Sequence, residues 1–444
     1  MANTITPQIV NLNTTVTTAP TVSQLQQSGA IVSTGATTLA ANGYQYCGNL
    51  AAVQALLSPA LEITSLAWAS GTVTATVPVA LNLAVGQSFT TTIAGASPAG
   101  YNGTFTATVA TTTTFTYALA TNPGTETTAG TYTPPDQAFV LDAATVFFAQ
   151  GNAVGVYVLE LGSQTSAANG VTALTTFISD NLSPQVFYAY LIPPSWDSNA
   201  ATSLKTLVGA YASPSSKTYF VITTTSSALV AATYGTNKSV LAVVPSPTQG
   251  STELQAGAVF YQVLVNNPGA ASPLAPFAYR YLYDVTPWAT YGNSATINTI
   301  LTAYGNIVLT GAQGGISTAC LFKGTTLDGE QYAFWYGVDY FQIQVQQALA
   351  AAIINGSNSN PPLLYDQNGI NTLLAIAQQI GNNAVSYGCA QSVTVTAVPF
   401  ATYIAANPSN YAAGIYDGFS ATLNGVSGFL SITFNLDAIA FAAA

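Results

Sequence analysis

Residues 328–370 read DGEQYAFWYGVDYFQIQVQQALAAAIINGSNSNPPLLYDQNGI, and this stretch decides the fold of the second half of the chain. Asp328 and Gly329 predict a turn, because both residue types are common in tight turns. The aromatic run after the turn predicts a strand, and the glutamine-rich run predicts a helix. Apolar residues repeat along that helix at helical spacing. They are Val338, Phe341, Val345, Leu349 and Ile353.

The composition indicates a protein that works as part of an assembly. The chain has 444 residues, of which 49% are apolar and 5% are charged, where about 25% charged is usual. This composition excludes disorder, because disordered chains are charged and poorly hydrophobic. Hydroxyls and amides are less costly to bury in an interface than charges, and a charge-poor monomer is poorly soluble. A soluble protein adapted to heat or acid is the alternative.

The charges exclude several classes of partner. The net charge is −10, and scattered cations cannot form the basic stripe that nucleic acid needs. The sequence contains no uninterrupted run of about 18 apolar residues, so no membrane span is predicted. Residues 1–16 lack the basic and apolar regions of a secretory signal, which fits synthesis in a cytoplasm. The three cysteines are predicted to be buried without metal. They are Cys47, Cys320 and Cys389.

The residues of common catalytic sites are missing or poorly placed. The chain has no histidine, which is the most frequent general base and metal ligand. It also has no GxSxG, P-loop or GxGxxG pattern. Asp328 and Glu330 are the closest acidic pair, and we expect them to be solvated turn residues. Asp339 is predicted to act structurally, at a helix start or in an ion pair, with a perturbed catalytic acid as the alternative. We predict no enzyme activity, cofactor or metal.

The pattern along the chain predicts α/β and α+β regions with a mixed sheet. Short Thr-rich strands between turns in residues 62–133 predict an inserted all-β, sandwich-like domain. Residues 37–61 and 134–267 alternate strands with helices, which is typical of an α/β layer. Residues 268–425 predict an α+β domain. A helix at about 369–387 is expected to end before Gly388.

The two chain ends are predicted to be extended arms, at residues 1–36 and 426–444. Apolar and polar residues alternate in both, as in half-buried strands. Strand-like termini can add to the sheet of another copy through main-chain hydrogen bonds. The arm residues predicted to pair are Ile9, Val10, Leu12, Val16, Leu430, Ile432, Phe434 and Leu436.

Three motifs resemble the contractile-tail sheath subunits of a group of myophages. They are FWYGVDYF through SYG at 334–388, AYLIPPSWD at 189–197 and NPSNYAAGIYDGFSATL at 407–423. The resemblance covers most of the chain outside 62–133. It implies rings of six subunits stacked around a tail tube, with arms that add strands to neighbouring sheets and a contraction that drives the tube through the host envelope. It also implies baseplate and tail-terminator partners and a place in the virion tail.

Under this resemblance, the aromatic run and its helix form the core and platform that receive the arms. The platform residues are Trp335, Asp339, Phe341, Val345 and Leu349. The insert at 62–133 is expected to project outward as a structural decoration, with environmental binding as the alternative. Another virion protein, such as a tail-tube or decoration protein, is the alternative function. A secreted adhesin fits less well, because the chain lacks a signal sequence and DxDxDG loops.

Overall fold

The structure, a computed structural model, describes residues 25–430 except 80, 82–84, 87, 163, 165, 183, 231, 251 and 312–314. The strands are β1 (Gly29–Ser33), β2 (Tyr44–Cys47), β3 (Leu61–Glu62), β4 (Ser65–Ala69), β5 (Thr72–Thr76), β6 (Ser88–Ala94), β7 (Gly103–Thr111), β8 (Thr114–Ala118), β9 (Thr131–Tyr132), β10 (Val156–Glu160), β11 (Ala189–Leu191), β12 (Tyr219–Thr223), β13 (Val240–Val243), β14 (Ile307–Thr310), β15 (Ala319–Phe322), β16 (Ser392–Ala397) and β17 (Phe419–Asn424). The helices are α1 (Leu50–Leu56), α2 (Pro135–Ala149), α3 (Ala167–Asp180), α4 (Ser195–Asn199), α5 (Ala201–Gly209), α6 (Ser226–Val230), α7 (Gln255–Leu264), α8 (Ser294–Thr302), α9 (Tyr332–Ser357), α10 (Gln367–Ser386), α11 (Phe400–Ala406) and α12 (Pro408–Ala412).

A six-stranded sheet organises the first half of the chain. Its order is β13-β12-β11-β1-β10-β2, and only β2 runs antiparallel to its neighbour. Helices cover both faces, because successive strand residues point to opposite sides. Ile31 of β1 packs in a core cluster with residues of α2 and α7, and Val32 packs in a second cluster with α3 and α5. The predicted α/β layer is confirmed.

The prediction that residues 1–36 form one arm is wrong for its last part. Gly29–Ser33 is a fully buried strand in the middle of the six-stranded sheet. A short apolar strand buried on both faces shows no alternation, so its sequence did not distinguish it from a connection. An added Cβ at Gly29 would lie 2.7 Å from a methyl of Leu264, so a larger residue there would require Leu264 to shift.

The all-β region is one seven-stranded antiparallel sheet in the order β3-β9-β6-β7-β8-β5-β4. It spans Leu61–Tyr132, close to the predicted 62–133, and it buries its own apolar cluster on one face. The first and last strands of this region, β3 and β9, pair with each other, and Leu61 lies opposite Tyr132. The chain therefore leaves after α1 and returns at α2, and residues of both helices lie in the same core cluster.

The aromatic run at 332–341 is helix, so the predicted strand there is wrong. Tyr332, Tyr336 and Tyr340 are all buried at a spacing of four on α9. That spacing places them on one helical face, although aromatic residues favour strands in general. The predicted turn is present, because Asp328 accepts hydrogen bonds from the Thr326 hydroxyl and the Glu330 amide. A single antiparallel bridge between Thr325 and Gln331 closes the turn, and α9 begins directly after it.

The helix predicted at about 369–387 is present. Helix α10 spans Gln367–Ser386, and Gly388 follows with φ +70°, a backbone conformation that suits glycine. Asp366 caps the start of α10, where its carboxylate accepts from the Gly369 amide at 2.8 Å. Beyond α10, β16 and β17 form a separate two-stranded antiparallel sheet. Among the described helices, none is both long enough and apolar enough to cross a membrane.

Candidate assembly site

The two-stranded sheet of β16 and β17 is the candidate site for an added strand. Val393 pairs with Leu423 and Thr394 with Thr422 in an antiparallel register. One face carries Val393, which is buried in the main core cluster beside residues of α10. The other face carries hydroxyl and amide groups, with Thr396 and Ser420 hydrogen-bonded across the strands at 2.8 Å. A two-stranded sheet is marginal by itself, so both α10 and further strands can stabilise it.

The outer edge of β16 is capped by a side chain of α10. The Gln378 amide donates to the Val393 carbonyl at 3.0 Å and accepts from the Val395 N–H at 2.9 Å. This amide therefore takes the place of a neighbouring strand at that edge. These bonds also show that the backbone groups of Val393 and Val395 point away from β17.

The outer edge of β17 is open within the described residues. In an antiparallel pair, residues opposite an outward-pointing partner also point outward. Phe419, Ala421 and Leu423 lie opposite Ala397, Val395 and Val393, so their backbone groups face away from β16. No backbone hydrogen bond to these three residues is found in the part of the chain described here. An unpaired edge of this kind is a template for a strand from another chain.

The start of the C-terminal arm is held at the beginning of α9. Gln331 directly precedes α9 and is buried. Its side-chain amide donates to the Gly428 carbonyl at 2.9 Å and accepts from the Gly428 N–H at 2.7 Å. The Tyr279 hydroxyl also donates to the Leu430 carbonyl. Residues 428–430 are thus fixed in direction where the described chain ends.

The N-terminal part of the chain is held by the same helix. Gln26 is buried, and its amide donates to the Tyr336 carbonyl of α9 at 3.0 Å. The Ser28 hydroxyl donates to the Val186 carbonyl at 3.0 Å, just ahead of β1. Residues near both ends of the described chain therefore contact the start of α9 or the residue just before it. The first turns of this helix fix where each arm begins.

The predicted platform residues all lie on α9, at different depths. Asp339 is completely buried and Phe341 is 8% exposed. Trp335 and Val345 are half-buried and pack against the main core cluster. Leu349 is half-buried, and beyond it the helix becomes exposed, with Ile353 at 50%. The N-terminal part of α9 therefore belongs to the core, and the platform role of these residues stays a prediction.

Asp339 forms an ion pair with Lys238. An ion pair was one of the two structural roles predicted for this residue. The Lys238 Nζ lies 3.6 Å from the Asp339 Oδ1, and the two side chains are 2% and 0% exposed. Tyr188 and Tyr219 donate to the other oxygen, Oδ2, at 2.8 and 2.7 Å. Burial raises the pKa of Asp339 to about 6, although Lys238 opposes that rise. Burial also lowers the pKa of Lys238.

Sequence reasoning missed the glutamine contacts and Lys238. The bonds of Gln26 and Gln331 join residues 310 and 97 positions apart, which no local pattern reveals. The only available signal was that amides are abundant where charges are rare. Seven predicted arm residues lie outside the described chain: Ile9, Val10, Leu12, Val16, Ile432, Phe434 and Leu436. Leu430 is described and is 37% exposed.

Within the described ranges, the structure contains no group of three or more acidic, cysteine or histidine side chains placed to hold a metal ion. Asp328 belongs to the closest acidic pair in the sequence. It accepts a hydrogen bond from the Trp335 indole at 2.8 Å in addition to its turn contacts. It therefore acts as a turn residue that also positions the Trp335 side chain of α9.

Comparison with solved structures identifies a chain with the same overall fold. A chain in the cryo-EM structure of the anti-feeding prophage baseplate in the contracted state aligns over 98% of both chains, with a TM-score of 0.50 and 12% identity. The two chains share a fold over the aligned part. The fold class predicted from the sequence agrees with this result.

Two sheath tail proteins also match. The one from Listeria innocua has a TM-score of 0.43 and 12% identity, over 83% of this chain and 88% of its own. The one from Desulfitobacterium hafniense has a TM-score of 0.40 and 10% identity, over 87% and 93%. No protein-family model and no curated protein sequence matches the chain.

Proposed function

We propose that the chain is a structural subunit of a phage contractile-tail sheath and has no enzymatic role. The observation that carries this proposal is the shared fold, over 98% of both chains, with a chain of a contracted prophage baseplate. The resemblance of residues 334–388, 189–197 and 407–423 to sheath subunits supports the same function. The charge-poor composition fits a protein that is assembled in its working state.

The proposed assembly contact is strand addition at the open edge of β17. Arms from neighbouring copies supply residues 9–16 and 430–436, which alternate apolar and polar side chains as an added strand requires. The Gln378 amide caps the β16 edge, so the strands enter on the β17 side. Contacts between different surfaces of identical copies close into a ring where the rotation allows it, and otherwise continue as a helical polymer.

In the proposed polymer, six copies form each ring and the rings stack around a tail tube. Baseplate and tail-terminator proteins lie at the two ends of the sheath. The sheath is assembled in the host cytoplasm as part of the virion tail. Contraction needs two packings of one sequence. The subunit surface is rich in Thr, Ser, Asn and Gln. These side chains can exchange hydrogen-bond partners between the two packings without leaving a buried charge unpaired.

Electron microscopy of the purified full-length protein tests this function. We expect striated hollow cylinders, and we expect them to disappear when residues 1–16 and 431–444 are removed. Short featureless tubes would favour a tail-tube protein, and compact single particles at high concentration would contradict the sheath proposal.

A single substitution tests the proposed edge. Ala421→Pro removes the outward N–H of Ala421 and places a ring on the edge, while the neighbouring residues still pair with β16. We expect this variant to fold but not to polymerise. Ala421→Val keeps the N–H and is the matched control, which should polymerise normally. Normal cylinders from Ala421→Pro would show that the strands do not enter at β17.

A further inference from the structure

The buried pair of Lys238 and Asp339 has features that an ordinary ion pair does not explain. It is the single ion pair found in the described part of the chain, and both side chains are almost fully buried. Burying two charges is costly unless hydrogen bonds satisfy them. Here the Asp339 Oδ1 is buried without a hydrogen-bond partner in the described structure, although it is the oxygen that faces the amine. The group that faces this oxygen is the Lys238 amine, at 3.6 Å, which is slightly beyond hydrogen-bond distance.

We propose that Lys238 and Asp339 form an intrachain isopeptide bond between the lysine Nζ and the aspartate Cγ. Such a bond links the turn that enters β13 to the N-terminal part of α9. It is a covalent modification within one subunit, and it is independent of whether the chain polymerises.

Burial favours the neutral, nucleophilic form of the amine, although Asp339 opposes this effect while it is charged. The Lys238 Nζ donates to the Ser216 carbonyl at 2.6 Å and to the Pro214 carbonyl at 3.3 Å. A neutral amine has two N–H groups, so these two carbonyls satisfy both and leave the lone pair free. The Trp335 ring centroid lies 4.5 Å from the nitrogen, and the lysine side chain is 2% exposed. Burial lowers the pKa of Lys238 accordingly.

The surroundings of the carboxyl favour attack at its carbon. Tyr188 and Tyr219 both donate to Oδ2, at 2.8 and 2.7 Å. Donors aimed at an oxygen stabilise the negative charge that develops on it when a nucleophile adds to the carbon. The unbonded Oδ1 is then the leaving oxygen. The raised pKa of Asp339, about 6, populates the neutral acid that this step requires.

The reaction balances without any other reagent. The neutral amine adds to Cγ, and the bond between Cγ and Oδ1 breaks. Oδ1 leaves as water with the proton of the acid and one proton of the amine. In the product, the amide oxygen keeps its bonds to Tyr188 and Tyr219, and the amide N–H keeps the Ser216 carbonyl. The orphaned oxygen is gone, and so are both buried charges.

Denaturing mass spectrometry of the intact wild-type protein tests this proposal directly. We expect a mass one water below that of the sequence, after allowance for removal of Met1. Digestion with pepsin, which does not depend on the few lysines, should give a branched peptide that joins Lys238 to Asp339. A wild-type mass equal to that of the full sequence would overturn the proposal.

Two lysine variants locate the lost water. Lys238→Met keeps the length of the side chain but has no amine, and we expect it to show the full mass. Lys205→Met changes an exposed lysine on α5 and should still lack one water. A water loss that persists in Lys238→Met would place the dehydration at another residue and would refute the bond. If Lys238→Met does not fold, the wild-type mass and the branched peptide still decide the question.

Discussion

Gln331 is the residue whose loss tests the arm geometry most clearly. Its amide makes two hydrogen bonds to the backbone of Gly428, at 2.9 and 2.7 Å, in a largely buried position. A hydrogen bond contributes about 0.5–1.5 kcal/mol net, so Gln331→Ala should weaken this anchor by about 2 kcal/mol. Since about 1.4 kcal/mol corresponds to a factor of ten, the released state of residues 428–430 should become about 30-fold more populated.

Hydrogen exchange on the free subunit measures this change. We expect faster exchange at the Gly428 amide in Gln331→Ala, while the core strand β1 exchanges as before. We also expect a higher protein concentration to be needed for polymerisation, because a released arm loses more freedom when it binds. Gln346→Ala is the control, since Gln346 is an exposed residue of the same helix. Unchanged exchange at Gly428 in Gln331→Ala would refute the anchoring role.

Three further predictions concern stability and organisation. Gly337→Ala should destabilise the fold by several kcal/mol in a urea titration, because its Cβ would lie 1.9 Å from the Cys389 carbonyl and overpack the core. Gly209→Ala is the control, since nothing lies within 4 Å of the added Cβ, and it should be neutral or stabilising in the same titration. Burial raises the pKa of Asp136 to about 7, above its unfolded value of about 3.9, so the contribution of Asp136 to stability should fall by about 2 kcal/mol from pH 5 to pH 7. Burial also raises the pKa of Asp142 to about 7, so that residue adds to the fall. Asp136→Asn should flatten this dependence, and an unchanged pH profile would contradict the assignment. Replacing 62–133 by a short linker should leave cylinder formation intact, and loss of assembly would refute the insertion.

The sequence predicted those elements whose pattern is local. Helix α10 has apolar residues at helical spacing and a glycine directly after its end, so its position followed from periodicity and capping. The Thr-rich strands of the insert alternate, and their turns are marked by glycine. In both cases a few neighbouring residues contain the whole signal.

The failures share a physical cause, which is that tertiary packing overrides local preference. Aromatic residues favour strands, but Tyr332, Tyr336 and Tyr340 follow a spacing of four because α9 packs one face into the core. Strand β1 carries no alternation because helices cover both of its faces. Helix α2 was not predicted at all. The amide contacts of Gln331 and Gln378 depend on which backbone groups the fold brings to them.

The most direct test of strand exchange is a cryo-EM map of the polymer at a resolution that traces main chain. We expect a strand from a different copy, built from residues 9–16 or 430–436, to be hydrogen-bonded to Phe419, Ala421 and Leu423. A map in which that edge is bare, or is covered by a terminus of the same copy, would contradict the account.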